Sequence, residues 1–266
     1  MTDLWSDLLS TLTVDAGPSH TRFSATNQRL EYHRVFGGQL LAQFIRAATL
    51  ICPEKSVKSM HTVFPREGRS DEPVEYEFAV HHEGRSFATL TATAQQSKGP
   101  IGTASISMHV VEDGPDVQTA DPVGAVPGPD REVALGLIPW ETRALVDLND
   151  PTTGPPEFEL WMRTPPVDAD LASALAAYAT DLTLIGTALR PMAGLDQRGN
   201  GTQFSSAVTS HTIWFHRPFT TEQWLVLRQH SPLLAHGRSF GRGDILTSDG
   251  VIVASYGQEA LLRIAS

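Results

Sequence analysis

The sequence predicts an α+β chain made of two tandem copies of one unit, a helix followed by an antiparallel sheet. Three observations carry this. The hydrophobic period runs near 3.6 residues and then near 2, and this switch happens twice along the chain. The period-2 runs are parted by Gly- and Pro-containing turns, as strands of a meander are. Short segments also recur in order. Met60-His61-Thr62-Val63-Phe64 is matched 150 residues later by Ser210-His211-Thr212-Ile213-Trp214-Phe215, and Gly84-Arg85-Ser86-Phe87 is matched 153 residues later by Gly237-Arg238-Ser239-Phe240. The two spacings differ by a loop-sized indel, which is the signature of an internal repeat.

The elements follow in chain order. Gly37 and Gly38 open a helix over 37–52 in which Leu40, Leu41, Phe44, Ile45, Ala48, Ile51 and Cys52 share one face, and Pro53 stops it. Strands follow at 57–65, 73–82, 86–96 and 101–111, parted by Glu67-Gly68, Glu83-Gly84 and Lys98-Gly99-Pro100. Residues 112–130 have linker composition, with Gly114, Pro115, Pro122, Gly124, Pro127, Gly128 and Pro129. A second loop-rich stretch runs from Asn149 to Pro156. Residues 168–190 are the clearest helix. Leu171, Leu175, Tyr178, Leu182, Ile185 and Leu189 step along one face, with Asp168 placed to cap the start and Pro191 beyond the end. Strand-like runs at 203–216, 222–230, 236–247 and 251–264 complete the chain, the last two joined by the hairpin signal Ser248-Asp249-Gly250. The expected organisation is an N-terminal unit over 1–115, a linker over 116–156 and a C-terminal unit over 157–266.

At 266 residues the chain can bury a sizeable core, and 41% apolar against 19% charged residues is a globular composition. The net charge of −10 repels nucleic acid and anionic membrane surfaces, so neither is an expected partner. Only Lys55, Lys58 and Lys98 among the 20 basic residues are lysines. The single cysteine, Cys52, allows no disulfide framework within the chain and reads as a small core residue. Met1–Thr13 lacks a basic segment and a cleavage site, and no run approaches ~18 apolar residues. No signal peptide and no membrane span are therefore expected, and the cytoplasm is the expected location.

The nucleotide-binding signatures GxxxxGK[ST] and GxGxxG are absent, as are HExxH and the EF-hand loop. Gly237-Arg238-Ser239-Phe240-Gly241 spells the nucleophile elbow of serine hydrolases, but strand and hairpin patterns follow it where a helix belongs. Arg242-Gly243-Asp244 is an adhesion triplet in spelling only. His81, His82, His211 and His216 lack a third ligand at metal spacing, so no metal is expected.

Two polar residues stand where apolar ones belong. Asp181 lies in the best amphipathic helix, beside Leu182, with Ala177, Leu184 and Ile185 as its helical neighbours. Burying a carboxylate costs several kcal/mol unless it is paired or hydrogen-bonded. Either the helix breaks at Thr180 and Asp181 caps a second helix, or Asp181 is a general base or water anchor in a cleft. Gln258 sits in the largely apolar final strand with Glu259 beside it, and adjacent strand residues point to opposite faces. A buried structural amide and a group that orients water or substrate are both open for Gln258.

The chain resembles the acyl-CoA thioesterase II family, the double hot-dog thioesterases. The segments that carry the resemblance are Val35-Phe36-Gly37-Gly38-Gln39, Glu83-Gly84-Arg85-Ser86-Phe87, Ile213-Trp214-Phe215-His216-Arg217-Pro218-Phe219, and Asp249-Gly250-Val251-Ile252-Val253-Ala254-Ser255 leading to Gln258-Glu259. The resemblance implies a double hot-dog, two units each with a long helix wrapped by a curved antiparallel sheet. It implies hydrolysis of fatty acyl-CoA, a small-molecule substrate, to free acid and CoA. The family sets an Asp, a Thr or Ser, and a Gln around a water. The Asp maps to Asp181 and the Gln to Gln258. The hydroxyl position falls on Val208, which leaves Ser206, Thr209 and Ser210 as its candidates, and a bulge would bring Thr209 to the required face.

On this reading Asp181 takes a proton from a water held also by Gln258 and by Thr209 or Ser210, and the water attacks the thioester. General-base help of this kind is worth roughly 10²–10⁴-fold. The amides at the helix start, Gly37 and Gly38, are the expected oxyanion donors. Arg238 and Arg242, with Arg217, are the expected contacts for CoA phosphates. No metal and no bound cofactor is called for, and the resemblance implies a homodimer or higher homo-oligomer. Two alternatives stand beside it. One is a non-catalytic acyl-CoA or acyl-chain binding protein of the same fold. The other is a serine hydrolase using Ser239.

Overall fold

A computed structural model describes residues 3–30 and 34–264. The outermost residues of the two expected units, 1–2 and 265–266, lie outside the described residues. The chain forms two compact units. The first holds residues up to Asp116 together with Asp170–Ala179 and Thr212–Phe215, and the second holds the rest.

The first unit contains α1 (Leu4–Thr11), β1 (Asp15–Ala16), β2 (Arg22–Ala25), α2 (Gly37–Ile51), β3 (Ser56–Val63), β4 (Val74–Glu83), β5 (Phe87–Gln96) and β6 (Gly99–His109). Its strands are antiparallel in the order β1-β2-β4-β5-β6-β3. The helix and four strands predicted between 37 and 111 are all present within two residues of their expected ends. The reason is the clean alternation of the strands: in β5, Ala88, Leu90, Ala92 and Ala94 are buried and their neighbours mostly exposed. The apolar face of α2 meets this inner row through Phe44, which packs edge-on against Tyr76 at 5.3 Å and Phe78 at 6.4 Å. The bare face of Gly102 lies under the Phe44 ring. Helix α1, for which the sequence raised no expectation, is capped by Asp3, whose carboxylate accepts from the Trp5 N–H at 3.2 Å.

The second unit contains β7 (Glu141–Arg143), β8 (Glu157–Arg163), α4 (Leu184–Leu189), β10 (Leu225–Ala235), β11 (Arg238–Thr247) and β12 (Ile252–Ile264), with most of β9 (Phe204–Phe215). The order is β9-β12-β11-β10-β8-β7. The four strands predicted after residue 200 are present, whereas β7 and β8 were not anticipated. Strand β8 does not alternate: Phe158, Leu160, Trp161 and Met162 are all buried. Its outer side is covered, because Trp161, Val226 and Leu246 form a row across three strands and Val123 and Val126 pack onto it. The linker-like segment is thus held on the second unit. Arg228 donates to the carbonyls of Asp121 and Pro122 at 2.9 and 3.0 Å, and Gln118 donates to that of Gly250 at 2.7 Å.

The helix expected as one piece over 168–190 is two. Helix α3 (Ala172–Thr180) ends where the chain passes from the first unit to the second, Asp181–Thr183 form a turn, and α4 comes next. The break also turns the buried face. Leu182 and Ile185, placed on the core stripe by their spacing, are only half-buried, while Asp181, Thr183, Leu184 and Thr187 are buried. Short polar side chains that find partners off the helix compete with its regular hydrogen bonds, and three of them fall within seven residues here. By length and composition Ala169–Leu189 is apolar enough to cross a membrane, but 78% of its most apolar window is buried in the fold, as in a core helix.

Candidate active site

Asp181 is 5% exposed and sits at the break. It is not the cap of α4, since Thr183 occupies the position before that helix. The sheet holds both sides of the break. On the N-terminal side, Thr180 Oγ1 meets His211 Nε2 at 3.1 Å, and the His211 ring stacks on Tyr256 at 6.0 Å with the planes 4° apart. On the C-terminal side, Ser231 Oγ donates to the Leu184 carbonyl at 3.2 Å. The Leu184 side chain reaches to 2.8 Å from where a Cβ on Gly241 would stand.

These contacts bring the break to the side of the sheet that carries Gln258. Gly241 is the register partner of Gln258, and Gly243 is that of Tyr256. Tyr256 and Gln258 lie two residues apart on the buried row of β12. The two glycines of β11 make room: a Cβ at Gly241 would strike Leu184 and Ser231, and one at Gly243 would stand 2.7 Å from the Tyr256 hydroxyl. Burial holds that hydroxyl protonated, with a pKa far above the usual phenol range.

Gln258 is 3% exposed, and its Oε1 is buried with no hydrogen-bond partner. An acceptor left this way costs roughly 1–3 kcal/mol. Such an atom marks a place where a water or ligand oxygen completes the bonding.

The other predicted residues divide. Thr209 donates its hydroxyl to the Glu259 carbonyl at 3.0 Å. Ser210 is half-buried. The burial alternation of β9 changes phase here. The row from Phe204 runs through Ser206 and Val208, and the row ending at Ile213 runs through His211 and Thr209. Gly37 and Gly38 belong to the first unit, at the start of α2. A Cβ on Gly38 would collide with the Tyr178 carbonyl oxygen and the Phe36 ring, so this glycine is required for close packing. Arg238 and Arg242 lie on the exposed row of β11, facing away from Gln258, and Arg238 pairs with Glu259 at 3.2 Å. Arg217 donates to Gln118 Oε1 and the Ile252 carbonyl.

Ser239 lies inside β11, paired with Leu234 on one side and Ala260 on the other. Gly237 before it, at φ 71°, makes the strand-to-strand turn. No strand–turn–helix elbow exists at this serine, which removes the serine-hydrolase alternative. Among the described residues no cluster of His, Cys, Asp and Glu is suited to a metal ion.

Sequence reasoning did not link Thr180 to His211 and Tyr256, or Thr183 to Gln229. The usable signal was a run of threonines, 180, 183 and 187, on the buried side of an otherwise apolar segment.

The acyl-CoA thioesterase N-terminal domain model matches residues 27–109, and the acyl-CoA thioesterase C-terminal domain model matches residues 111–262. Acyl-CoA thioesterase 2 of Haemophilus influenzae is 32% identical, with 100% of each chain covered. The crystal structure of an acyl-CoA thioesterase II from Mycobacterium marinum superposes with a TM-score of 0.79 at 26% identity, covering 97% of this chain and 99% of that one. A protein described as having the hot-dog fold, from Alicyclobacillus acidocaldarius, gives a TM-score of 0.75 at 18% identity, over 97% and 98% of the two chains, a likeness of fold. With both family domains matched in order and a relative at this identity over the full length, the chain belongs to the acyl-CoA thioesterase family and has its hot-dog architecture.

Proposed function

We propose that the protein hydrolyses fatty acyl-CoA thioesters to free fatty acid and CoA, with water activated by Asp181. The observation that carries this is the unsatisfied, buried Gln258 Oε1 on the same side of the sheet as the break that holds Asp181. A water seated between them donates one hydrogen to Gln258 and the other to the Asp181 carboxylate. Its lone pair is then turned toward the thioester carbonyl. As the C–O bond forms, Asp181 takes the proton. Collapse of the tetrahedral intermediate breaks the C–S bond, and the thiolate of CoA leaves. The reading needs no metal or cofactor. It places the protein in the cytoplasm, in fatty-acid metabolism and as a homo-oligomer; sedimentation of the purified chain tests the last of these.

The test is CoA release from palmitoyl-CoA, followed with a thiol reagent. Wild-type protein is expected to turn over, and Asp181→Asn to lose roughly 10²–10⁴-fold in kcat. A loss below about tenfold overturns the general-base role.

One observation favours a second reading, a non-catalytic acyl-CoA binding protein of the same fold. Val208 stands where the family's hydroxyl maps, and the neighbouring Thr209 hydroxyl is engaged with the Glu259 carbonyl. Tight binding of acyl-CoA without CoA release, across chain lengths, would establish it.

A further inference from the structure

Thr183 precedes α4, a position where a threonine hydroxyl ordinarily accepts from the first N–H groups of the helix. It makes no such cap. Its Oγ1 turns to the sheet instead and meets the side-chain amide of Gln229 on β10, 2.7 Å from Nε2 and 2.9 Å from Oε1. Thr187, one turn on, sets its hydroxyl 3.2 Å from Gln229 Oε1 and 2.8 Å from the Thr183 carbonyl. All three side chains are at least 98% buried. A buried amide with two buried hydroxyls is costly unless its members bond one another, as these do. Gln229 is the register partner of Gly243, so its side chain rises beside the strand position left open for Tyr256.

The sheet therefore grips the helix break at both ends, through His211 on Thr180 and through Gln229 on Thr183, with Asp181 between. The two grips differ in kind. His211 meets the last residue of α3. Gln229 opposes both the turn and the first turn of α4, which fixes where the helix restarts. A break held at one end only would let the intervening backbone rotate, and a misplacement of ~1 Å at a reacting group costs on the order of 10²-fold in rate.

We propose that Gln229 is a positioning residue for Asp181. Through Thr183 it locks the turn so that the carboxylate faces the water held by Gln258. This rests on the reading of Asp181 as the general base. It assigns Gln229 no contact with the substrate.

The experiment measures kcat and KM on palmitoyl-CoA for Gln229→Leu, Thr183→Val and Thr183→Ser, each alone and with Asp181→Asn. Gln229→Leu and Thr183→Val are expected to lower kcat by roughly 10–100-fold, with KM within about twofold of wild type. Thr183→Ser keeps the hydroxyl and is expected to stay near wild type. In the Asp181→Asn background the same substitutions are expected to change residual activity by less than about twofold, since there is no base left to misplace. Where Gln229→Leu yields little folded protein, Thr183→Val removes the same contact from the helix side and carries the test. An equal loss in both backgrounds, or a rise in KM with kcat unchanged, overturns the positioning role. An inactive Asp181→Asn with unimpaired Gln229→Leu and Thr183→Val overturns it alone. An active Asp181→Asn overturns the base reading and the positioning role together.

Discussion

Helix α2 and the helical segment from Ala172 to Leu189 both bury polar side chains in an apolar surround, yet only α2 is continuous. In α2 the buried polar residues are Gln39 and Gln43. Gln39 accepts from the Gln28 N–H at 2.9 Å and donates to Asn27 Oδ1 at 2.8 Å. Gln43 donates to the carbonyls of Thr11 and Thr26 at 2.8 and 3.1 Å and accepts from the Tyr76 hydroxyl at 2.5 Å. These amides are long enough to reach loop and sheet from an undisturbed helix. In the second segment the buried polar residues are Thr180, Asp181, Thr183 and Thr187, whose side chains are one or two bonds shorter. The backbone must come to the partners, and the helix breaks. The difference teaches that side-chain reach decides whether a buried polar group is housed by a helix or interrupts it.

The sharpest way to break this comparison is to put a charge where α2 holds an amide. Gln43→Glu keeps the length and the acceptor for Tyr76 but removes both donors. It turns a carboxylate toward the Thr11 and Thr26 carbonyls. A buried charge without its partners is expected to cost about 3–5 kcal/mol, read as a lower midpoint in urea or a lower Tm. Stability within about 1 kcal/mol of wild type would show that the amide network is not what lets α2 stay regular. Asp181→Asn is the matching change on the other segment. It removes charge, so its expected effect is on turnover and not on folding.

Much of this arrangement was legible beforehand, and the limits have physical causes. Period-2 strands with one covered face announce themselves, which is why β3–β6 and β9–β12 stood near their expected positions. Strand β8 did not, because a strand covered on both faces carries no alternation. Asp181 and Gln258 were legible as polar residues on apolar faces. The break was legible only as an alternative raised by Asp181, placed correctly at Thr180 but with Asp181 and not Thr183 as the cap, since the apolar stepping from Leu171 to Leu189 continues through it and hydrophobic spacing alone favours one helix. What breaks the helix is a set of partners on β9 and β10, His211 and Gln229, that lie 31 and 46 residues beyond the threonines they meet. Glycines read ambiguously too: Gly38 suggested oxyanion donors, and its packing against Tyr178 and Phe36 supplies a second, structural demand for the same residue.

That demand sets the next effect in size. Gly38→Ala would place a methyl against the Tyr178 carbonyl oxygen and the Phe36 ring, whose own ring-to-ring packing with Tyr178 is 5.0 Å between centroids. Overpacking of this kind is expected to cost about 1–3 kcal/mol. Alanine's intrinsic gain over glycine in a helix, up to ~1 kcal/mol, offsets only part of it. Thermal unfolding checks this. A Tm at or above wild type would mean that α2 can shift along its contact, and that Gly38 answers to chemistry alone.

The smallest expected effect separates reach from charge most cleanly. Tyr76→Phe deletes one hydroxyl and leaves its ring against Phe44. Gln43 Oε1 loses its 2.5 Å partner but keeps the Gln39 Nε2 donor at 3.2 Å, so no acceptor is abandoned. The expected loss is about 1 kcal/mol, the net worth of an ordinary buried hydrogen bond. Because Tyr76 and Gln43 belong to the first unit, whereas Asp181 and Gln258 belong to the second, kcat on palmitoyl-CoA is expected to stay within about twofold of wild type. A fall in turnover larger than the fall in stability would tie the amide network of α2 to catalysis. The contrast between a helix that merely houses its polar groups and one that breaks to present them would then fail.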